Sequence, residues 1–209
     1  MHDAQLKGLY VLTDERLGDG LMEAVAATLE GGARLIQYRD KSIDAARREH
    51  EARRLRTLTR KYKALLIVND DPELAAAVEA DGVHLGRDDP DVATARALLG
   101  VEAVIGISCY DSLDFARDAV AAGADYIAFG SVYPSPTKPD AVRAPLDLLT
   151  RAKRELGVPI CAIGGITPEN AVPVLAAGAD MLAVVSAVLF TENPEAAVRR
   201  FTSCVDAEN

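Results

Sequence analysis

Short apolar runs alternate along the chain with longer segments in which apolar residues recur every three or four positions. The runs are rich in Val, Ile, Leu and Ala and lack a strict apolar–polar alternation, which is typical of strands buried on both faces. The longer segments are rich in Ala, Leu, Glu and Arg, as amphipathic helices are. The pattern predicts strands at 9–13, 35–39, 65–69, 82–86, 103–108, 126–130, 159–164 and 181–186, each followed by a helix.

The residues between these elements support the same division. In EGGARLIQYR, EADGVHLG, AAGADYIAFG and AAGADMLAVV a glycine ends a helix before a strand, because glycine tolerates the left-handed conformation that stops a helix. Asp71, Asp89, Thr167 and Asn193 each precede a proline, the order of an N-cap and a first helical residue. No linker or low-complexity tract interrupts the chain, so we expect one domain over residues 1–209.

Eight strand–helix units with buried strands indicate a parallel sheet covered by helices. Their number favours a closed (β/α)8 barrel, the TIM barrel, over the alternative of a doubly wound open sheet. The glycine fingerprint G-x-G-x-x-G of dinucleotide-binding sheets is absent after the first strand, where the sequence reads TDERLGDG. We therefore predict an α/β protein with a (β/α)8 barrel fold.

Composition narrows the functions that this barrel can have. The net charge of −9 argues against general binding of nucleic acid or of anionic membranes, although a few local cations can still hold a small anion. Cys109, Cys161 and Cys204 are too widely spaced for a disulfide framework or a zinc site and indicate reduced thiols. The start MHDAQLKG has no signal-peptide pattern, and no apolar run reaches about 18 residues, so we predict a cytoplasmic protein.

The chemistry of a TIM barrel lies at the carboxyl ends of its strands. Gln37, Arg39 and Lys41 share one face after the second strand, where two cations favour an anion site over a merely solvated strand end. Asp70 and Asp89 follow the third and fourth strands and suit Mg²⁺, which needs only one or two protein carboxylates when phosphate supplies further oxygens. Asp71 is interpreted as an N-cap, whereas Asp89 is interpreted as either a cap or a ligand.

A second anion site is predicted after the last two strands. Loops in these positions of TIM barrels frequently bind phosphate, here at Gly164–Gly165 and Val185–Ser186, with simple tight turns as the alternative. Thr167–Pro168 predicts a helix N-terminus nearby, which favours anions. His84 has no histidine near it and is interpreted as a packed side chain. Two anion sites predict two phosphorylated substrates, one of which loses a polyphosphate.

The strand-end segments taken in order resemble the thiamine-phosphate synthase family over nearly the whole chain: LYVLTD, QYRDKS, LLIVNDD, GVHLGRDD, IGISC, DYIAFGSVYPSPTKPDA, AIGGITPEN and GADMLAVVSAVLF. The resemblance implies a transferase that joins 4-amino-2-methyl-5-hydroxymethylpyrimidine pyrophosphate to a thiazole phosphate and releases pyrophosphate, with Mg²⁺ as cofactor. The thiazole nitrogen attacks directly, so no nucleophilic side chain is needed. The expected partners are these two small molecules, and homo-oligomer formation is left open.

The same resemblance implies a role for each site residue. The catalytic residues would be Arg39, Lys41 and Lys138, and Mg²⁺ would be held by Asp70 and Asp89. The pyrimidine pyrophosphate would contact Gln37, Tyr38, Arg39, Asp40, Lys41, Asn69, Ser108 and Lys138. The thiazole phosphate would contact Ser135, Pro136, Thr137, Gly165, Val185 and Ser186. The chain departs from the family pattern at Arg87, where glutamine is usual, and at Tyr110, where histidine is frequent; Asp88 is left without an assigned role.

Three other functions compete with this interpretation. A thiazole tautomerase of the same fold would use a histidine about where this chain has Ser131, and the loop after strand six contains none. A non-catalytic phosphate-binding barrel would not need the Asp70–Asp89 pair. A phosphosugar isomerase would need an acid–base pair facing one substrate. The synthase is preferred because Lys138, within a proline-restricted loop between the two anion sites, suits pyrophosphate departure.

Overall fold

Eight parallel strands close into a barrel in the order in which they follow along the chain. The computed structural model describes residues 6–134 and 142–206. The strands are β1 (Gly8–Leu12), β2 (Leu35–Tyr38), β3 (Leu65–Asn69), β4 (Gly82–Leu85), β5 (Val104–Tyr110), β6 (Tyr126–Gly130), β7 (Ile160–Ile163) and β8 (Met181–Val184). Each lies within two residues of its predicted bounds, and the predicted (β/α)8 barrel is confirmed.

Helices cover the outside of the barrel. They are α1 (Leu21–Glu30), α2 (Ala45–Lys61), α3 (Pro72–Ala77), α4 (Val92–Leu99), α5 (Leu113–Ala121), α6 (Leu146–Glu155), α7 (Ala171–Ala176), α8 (Ser186–Leu189) and α9 (Pro194–Asp206). A 3-10 segment (Glu15–Gly20) precedes α1. The sequence pattern predicts neither this segment nor α8, because both are too short to show a helical period. Within the described ranges, no helix is long and apolar enough to cross a membrane.

Each strand contributes to two buried layers, since successive side chains point to opposite faces. One layer fills the barrel interior and includes Tyr10, Leu35, Ile67 and Tyr126. The larger layer lies between the strands and the helices. Burying a Leu or Ile side chain in either layer contributes about 1.5–3 kcal/mol. The interior layer forms the floor beneath the strand ends.

Two of the predicted helix caps are confirmed. Asp71 Oδ1 accepts a hydrogen bond from Leu74 N at 2.8 Å at the start of α3. Asn193 Oδ1 accepts from Ala196 N at 2.9 Å at the start of α9. In both places the following proline is the first helical residue.

The cap predicted at Thr167 is wrong, and of the two interpretations of Asp89 the helix cap is excluded. Helix α4 is capped by Asp91, whose carboxylate accepts from Thr94 N at 2.7 Å. Helix α7 begins at Ala171, so Thr167–Pro168 lies in the turn before it. A second capping-type residue stands closer to each helix, and this residue takes the N-cap position.

One of the four predicted glycine stops is also wrong. After α3 the left-handed conformation is taken by Glu79, with φ of 53°, and Gly82 is already the first residue of β4. A Cβ atom at Gly82 would lie 1.9 Å from Val104 O. This glycine is therefore required by the close approach of β5. The other three stops have glycines with positive φ and are confirmed.

Candidate active site

Polar side chains from four neighbouring strands gather at the carboxyl end of the barrel. Gln37, Asn69, His84 and Ser108 have the interior-facing parity of β2, β3, β4 and β5. Asn69 pairs with His84 across β3 and β4. The structure thus brings the predicted residues Gln37, Asn69 and Ser108 to one side of the barrel mouth.

Three charged residues lie together at this side of the mouth. Lys41 Nζ donates to Asp70 Oδ2, and the Asp70 and Asp89 carboxyls lie close enough together to shift each other's pKa. Asp70 has a φ of 62°, a conformation that Asp tolerates better than most residues, and its backbone N–H donates to His84 O at 2.8 Å. We call Lys41, Asp70 and Asp89 the acidic side of the mouth.

The two carboxyl groups of the acidic side shift each other's pKa in opposite directions. Burial raises the pKa of Asp89, and the hydrogen bond and charge of Asp70 raise it further, against the hydrogen bond from Gly86 N. Burial would also raise the pKa of Asp70, but the hydrogen bonds from Lys41 and Asp89 outweigh it and lower that pKa. Ionisation of both carboxyls at this short separation is favoured when a cation lies beside them.

The donor set of the acidic side fits Mg²⁺. In residues 6–134 and 142–206 no three His, Cys, Asp or Glu side chains cluster as a complete metal site. A pair of carboxylates is nevertheless what Mg²⁺ takes from a protein when substrate phosphates and water complete its octahedral shell. Asp89 is also not needed as a helix cap, since Asp91 fills that position.

Two residues predicted to contact the pyrimidine pyrophosphate point their side chains away from the mouth. Tyr38 lies in the layer between strands and helices and donates to Glu51 Oε2 at 2.8 Å. Asp40 accepts from Arg47 Nη2 at 2.5 Å on α2. The structure does not bring these two side chains together with Gln37, and their contact with substrate stays a prediction.

The loop after β1 holds the backbone of the predicted anion site. Thr13 Oγ1 accepts from Arg39 N at 2.8 Å and donates to Arg39 O at 3.2 Å. Glu15 Oε2 accepts from Lys41 N at 3.0 Å. No sequence motif assigned a role to Thr13 and Glu15. The pattern that could have indicated one is the polar segment TDE, which directly follows the first strand.

The opposite side of the mouth is built from backbone. The chain after β6 continues along β7, with Val132 N donating to Ile163 O at 2.9 Å and Tyr133 N donating to Gly164 O at 3.0 Å. Gly165 has a φ of 62°, and a Cβ atom there would lie 2.3 Å from Pro134 O. Only glycine fits this position without displacing the loop that follows β6.

The predicted thiazole-phosphate residues Gly165 and Val185 lie on this same side. Ile163 pairs with Ala183 across β7 and β8, and Gly165 and Val185 each follow two residues later. Ser186 begins α8. We call Gly164, Gly165 and Val185 the glycine side of the mouth. The remaining predicted contacts lie outside the described residues: Ser135, Pro136, Thr137 and Lys138.

An asparagine that the sequence analysis did not assign to the site shapes the glycine side. Asn170 Oδ1 accepts from Thr167 N at 2.8 Å, and Asn170 Nδ2 donates to Gly165 O at 3.0 Å. The side chain therefore folds back over the loop after β7 and fixes the backbone of Gly165. In the sequence, Asn170 is the last residue of ITPEN, a segment that by itself predicts only the start of a helix.

His84 is packed, as predicted. Its ring nitrogens lie 2.8 Å from Tyr126 OH and 2.8 Å from Ser108 Oγ. Burial lowers the pKa of His84 to about 4, against the charge of Asp70, so the imidazole is neutral near pH 7. Both ring nitrogens are hydrogen-bonded, so neither is free to act as a general acid or base.

The two positions that depart from the family pattern lie together. The Arg87 guanidinium lies 5.0 Å from the centre of the Tyr110 ring and 5.5 Å from that of Phe115. These are cation–π distances. Neither side chain is one of the three residues of the acidic side. The two departures from the family pattern therefore change none of the predicted Mg²⁺ ligands.

A closed parallel barrel with carboxylates, a cation and tight glycine turns at its strand ends has the arrangement of a TIM-barrel enzyme for phosphorylated compounds. The model of the family described as thiamine monophosphate synthase matches residues 9–188, and the chain belongs to this family.

Close relatives agree with this assignment. The chain is 57% identical over 201 residues to the thiamine-phosphate synthase of Thioalkalivibrio sulfidiphilus, which covers 95% of each chain. It is 56% identical to that of Halorhodospira halophila, over 96% of this chain and 95% of the relative. The solved thiamine phosphate pyrophosphorylase of Pyrococcus furiosus superposes with a TM-score of 0.89 at 39% identity, covering 98% of both chains. The predicted family and enzyme class, a transferase, are confirmed.

Proposed function

We propose that this chain joins an aminopyrimidine pyrophosphate to a thiazole phosphate at the barrel mouth and releases pyrophosphate. The observation that carries this proposal is the acidic side, where two paired carboxyls and Lys41 meet at the ends of neighbouring strands. Such a set suits a metal-bound pyrophosphate, and it stands in a chain of the thiamine monophosphate synthase family.

The two substrates would occupy different sides of the mouth. The pyrimidine would lie over the interior-facing Gln37, Asn69 and Ser108, with its pyrophosphate toward Arg39 and Lys41 and toward Lys138 in the loop after β6. The thiazole phosphate would lie at the glycine side, held by backbone N–H groups after β7 and β8 and by residues 135–137. Backbone N–H groups in such loops bind phosphate without needing a charged side chain.

Asp70 and Asp89 would hold Mg²⁺, which when bound neutralises negative charge on the leaving pyrophosphate. Arg39 and Lys41 would stabilise the same charge from the protein side. Preorganised groups of this kind act mainly in the transition state, where the charge develops. Thr13 and Glu15 support them by fixing the backbone that carries Arg39 and Lys41.

The reaction needs no protein nucleophile. The bond between the pyrimidine methylene carbon and the pyrophosphate oxygen breaks, and its electron pair leaves with pyrophosphate. The thiazole nitrogen then gives its lone pair to that carbon, and no proton moves. This chemistry is consistent with the neutral, fully engaged His84.

The tautomerase alternative is not favoured by the described residues. Ser131, where that enzyme would have its histidine, donates through Oγ to Tyr133 O at 2.5 Å. A non-catalytic phosphate-binding barrel is not favoured either, because it would have no use for the carboxyl pair of the acidic side.

We also propose that the whole chain forms one domain that works in the cytoplasm. Cys109, Cys161 and Cys204 are free thiols, and the first two are buried, which fits a reducing compartment.

The activity is tested by incubating the purified protein with both substrates, with and without Mg²⁺, and measuring thiamine phosphate and pyrophosphate. We expect the two products in equal amounts and only when a divalent cation is present. Asp89→Asn should abolish most of the product, whereas the control Asp91→Asn, on the same loop, should not, because Asn caps a helix as well as Asp does. Absence of product at saturating Mg²⁺ would overturn the proposal.

A further inference from the structure

Five polar side chains inside the barrel form one continuous chain of hydrogen bonds. Gln37 Nε2 donates to Tyr10 OH at 2.7 Å, and Tyr10 OH lies 2.9 Å from Tyr126 OH. Tyr126 OH lies 2.8 Å from His84 Nδ1, and His84 Nε2 lies 2.8 Å from Ser108 Oγ. This hydrogen-bond chain crosses the floor of the barrel and ends at two residues that the proposed function places on the pyrimidine.

With Gln37 Nε2 as the donor to Tyr10, one direction gives every hydroxyl hydrogen of this chain an acceptor. The Tyr10 hydrogen then goes to Tyr126, and the Tyr126 hydrogen goes to His84 Nδ1. Because His84 Nδ1 accepts from Tyr126 in this arrangement, the imidazole N–H is on Nε2 and donates to Ser108 Oγ. The hydroxyl hydrogen of Ser108 is left for a ligand.

The other end of the chain also has unused hydrogen-bonding capacity. Gln37 is 1% exposed, and its Oε1 has no hydrogen-bond partner within the described part of the chain. A buried carbonyl oxygen without a partner is costly and uncommon. The two ends of the hydrogen-bond chain therefore present an acceptor at Gln37 and a donor at Ser108.

Packing holds the two tyrosines in place. The Tyr10 and Tyr126 rings meet edge to face with centres 6.0 Å apart, and the His84 ring stacks on Tyr126 with centres 5.5 Å apart. A Cβ atom at Gly106 would lie 2.0 Å from Tyr126 Cζ. Glycine at this position of β5 is thus needed to make room for the Tyr126 ring.

We propose that Tyr10 and Tyr126 are positioning residues that set the direction of the hydrogen-bond chain, and that this direction selects an aminopyrimidine over an oxopyrimidine. The amino group can donate to Gln37 Oε1, and a ring nitrogen can accept from Ser108. In the oxo compound the exocyclic oxygen meets a second acceptor at Gln37 Oε1, and the neighbouring ring nitrogen carries a hydrogen and cannot accept the Ser108 hydroxyl hydrogen. The inference rests on the proposed function for its choice of ligand.

The first test measures which ring nitrogen of His84 carries the proton, and it requires no catalytic turnover. In protein labelled with ¹⁵N-histidine, the nitrogen spectrum should show His84 with its proton on Nε2 in the unmodified chain. The spectrum of Tyr126→Phe, which keeps the ring but removes the hydroxyl, should show a mixture of both tautomers. A proton fixed on Nδ1 in the unmodified chain would reverse the direction and overturn the proposal, whether or not the chain makes thiamine phosphate.

The second test compares kcat/KM for the amino- and oxopyrimidine pyrophosphates. The unmodified chain should prefer the amino compound, and Tyr126→Phe and Tyr10→Phe should each lower this preference about 10-fold, as loss of an ordered hydrogen bond does. The KM for thiazole phosphate should not change. The double variant should lose no more than the larger single loss, because both changes break the same hydrogen-bond chain.

Tyr62→Phe is the matched control. Its hydroxyl donates to Glu30 Oε1 at 3.2 Å on the outside of the barrel, so the preference should stay at its original value. If Tyr126→Phe does not fold, Tyr10→Phe and the nitrogen spectrum of the unmodified chain still decide the question. An unchanged preference in a folded tyrosine variant would overturn the proposal.

Discussion

The two sides of the barrel mouth consist of different chemical groups. The acidic side consists of charged side chains held by ion pairs and by each other, from Lys41 through Asp70 to Asp89. The glycine side consists of main chain, where Ile163 O and Gly164 O accept backbone hydrogen bonds from the chain after β6 and Gly165 lies against Pro134. We therefore expect one side to act through charge and the other through shape and backbone N–H groups.

This difference predicts how each side responds to substitution. A charged site loses its function when a carboxylate becomes an amide of the same shape. A backbone site does not depend on the side-chain charge, and it is damaged when a side chain is added where there was none. The two sides should also differ in their response to pH, because the acidic side holds two carboxyls with shifted pKa values and His84, whose pKa is lowered, lies beneath it.

The largest effect is expected from Asp70→Asn. This change keeps the shape of the residue and its tolerance of positive φ but removes one carboxylate of the proposed Mg²⁺ pair. We expect kcat to fall by about 10²–10³, as when one preorganised catalytic group is lost, while the KM for thiazole phosphate stays the same. Steady-state kinetics at saturating Mg²⁺ measure both values.

The control for this change is again Asp91→Asn, which should retain full activity. Thermal unfolding of Asp70→Asn should show only a small loss of stability, about 0–1 kcal/mol, because a partly exposed ion pair such as Lys41–Asp70 contributes little. A fall in kcat of less than threefold would contradict the role of Asp70 in holding the metal.

A smaller effect is expected from Gly165→Ala. The residue has a φ of 62°, and the added Cβ would lie 2.3 Å from Pro134 O, so the change should lower the free energy of unfolding by about 1–3 kcal/mol. Displacement of the loop should raise the KM for thiazole phosphate about 10-fold, the effect of losing one such hydrogen bond. The KM for the pyrimidine pyrophosphate should hold steady.

Gly157→Ala provides a comparison for that variant, because a Cβ atom at Gly157 meets nothing within 4 Å. It should leave both KM values and the unfolding free energy near those of the unmodified chain. Denaturant unfolding measures the free energy of unfolding of both variants, and steady-state kinetics measure their two KM values. If Gly165→Ala raised both KM values equally, the separation of the two sides would be wrong.

The smallest effect is a pH dependence of stability from beneath the acidic side. Burial lowers the pKa of His84 from 6.5 to about 4 in the folded chain. Between these values the unfolded chain binds a proton that the folded chain does not, so stability falls as the pH decreases below 6.5. Since one pKa unit corresponds to about 1.4 kcal/mol, we expect about 2 kcal/mol to be lost between pH 7 and pH 5.

Denaturant unfolding at both pH values measures this loss, and His84→Gln should reduce it, since the variant lacks the titrating group. An equal loss in the variant would assign the pH dependence to other groups.

Local patterns were sufficient to predict the barrel. Eight apolar runs with helical segments between them are a repeated signal, and the parity of strand residues placed Gln37 and Ser108 inside the mouth. The same parity indicates that Tyr38, one residue later than Gln37, points to the helices. The predicted contact of Tyr38 with substrate rests on the family segment as a whole and not on this parity.

Two kinds of feature could not be predicted from the sequence. Which of two nearby residues caps a helix depends on backbone geometry. The sequence therefore leaves Asp89 open as a cap or a ligand and predicts a cap at Thr167, whereas Asp91 and Asn170 take the N-cap positions. The hydrogen-bond chain from Gln37 to Ser108 joins residues on five different strands. No short-range pattern records such contacts, and they become visible only when the barrel is closed.

The central claim is that the two phosphorylated substrates bind at separate sides of one mouth. It is tested most directly by calorimetric titration of thiazole phosphate into the protein, alone and in the presence of saturating Mg²⁺ and pyrophosphate. The account predicts that the Kd for thiazole phosphate is unchanged or lower when pyrophosphate is bound. A Kd that rises in proportion to the pyrophosphate concentration would show one shared site and contradict the account.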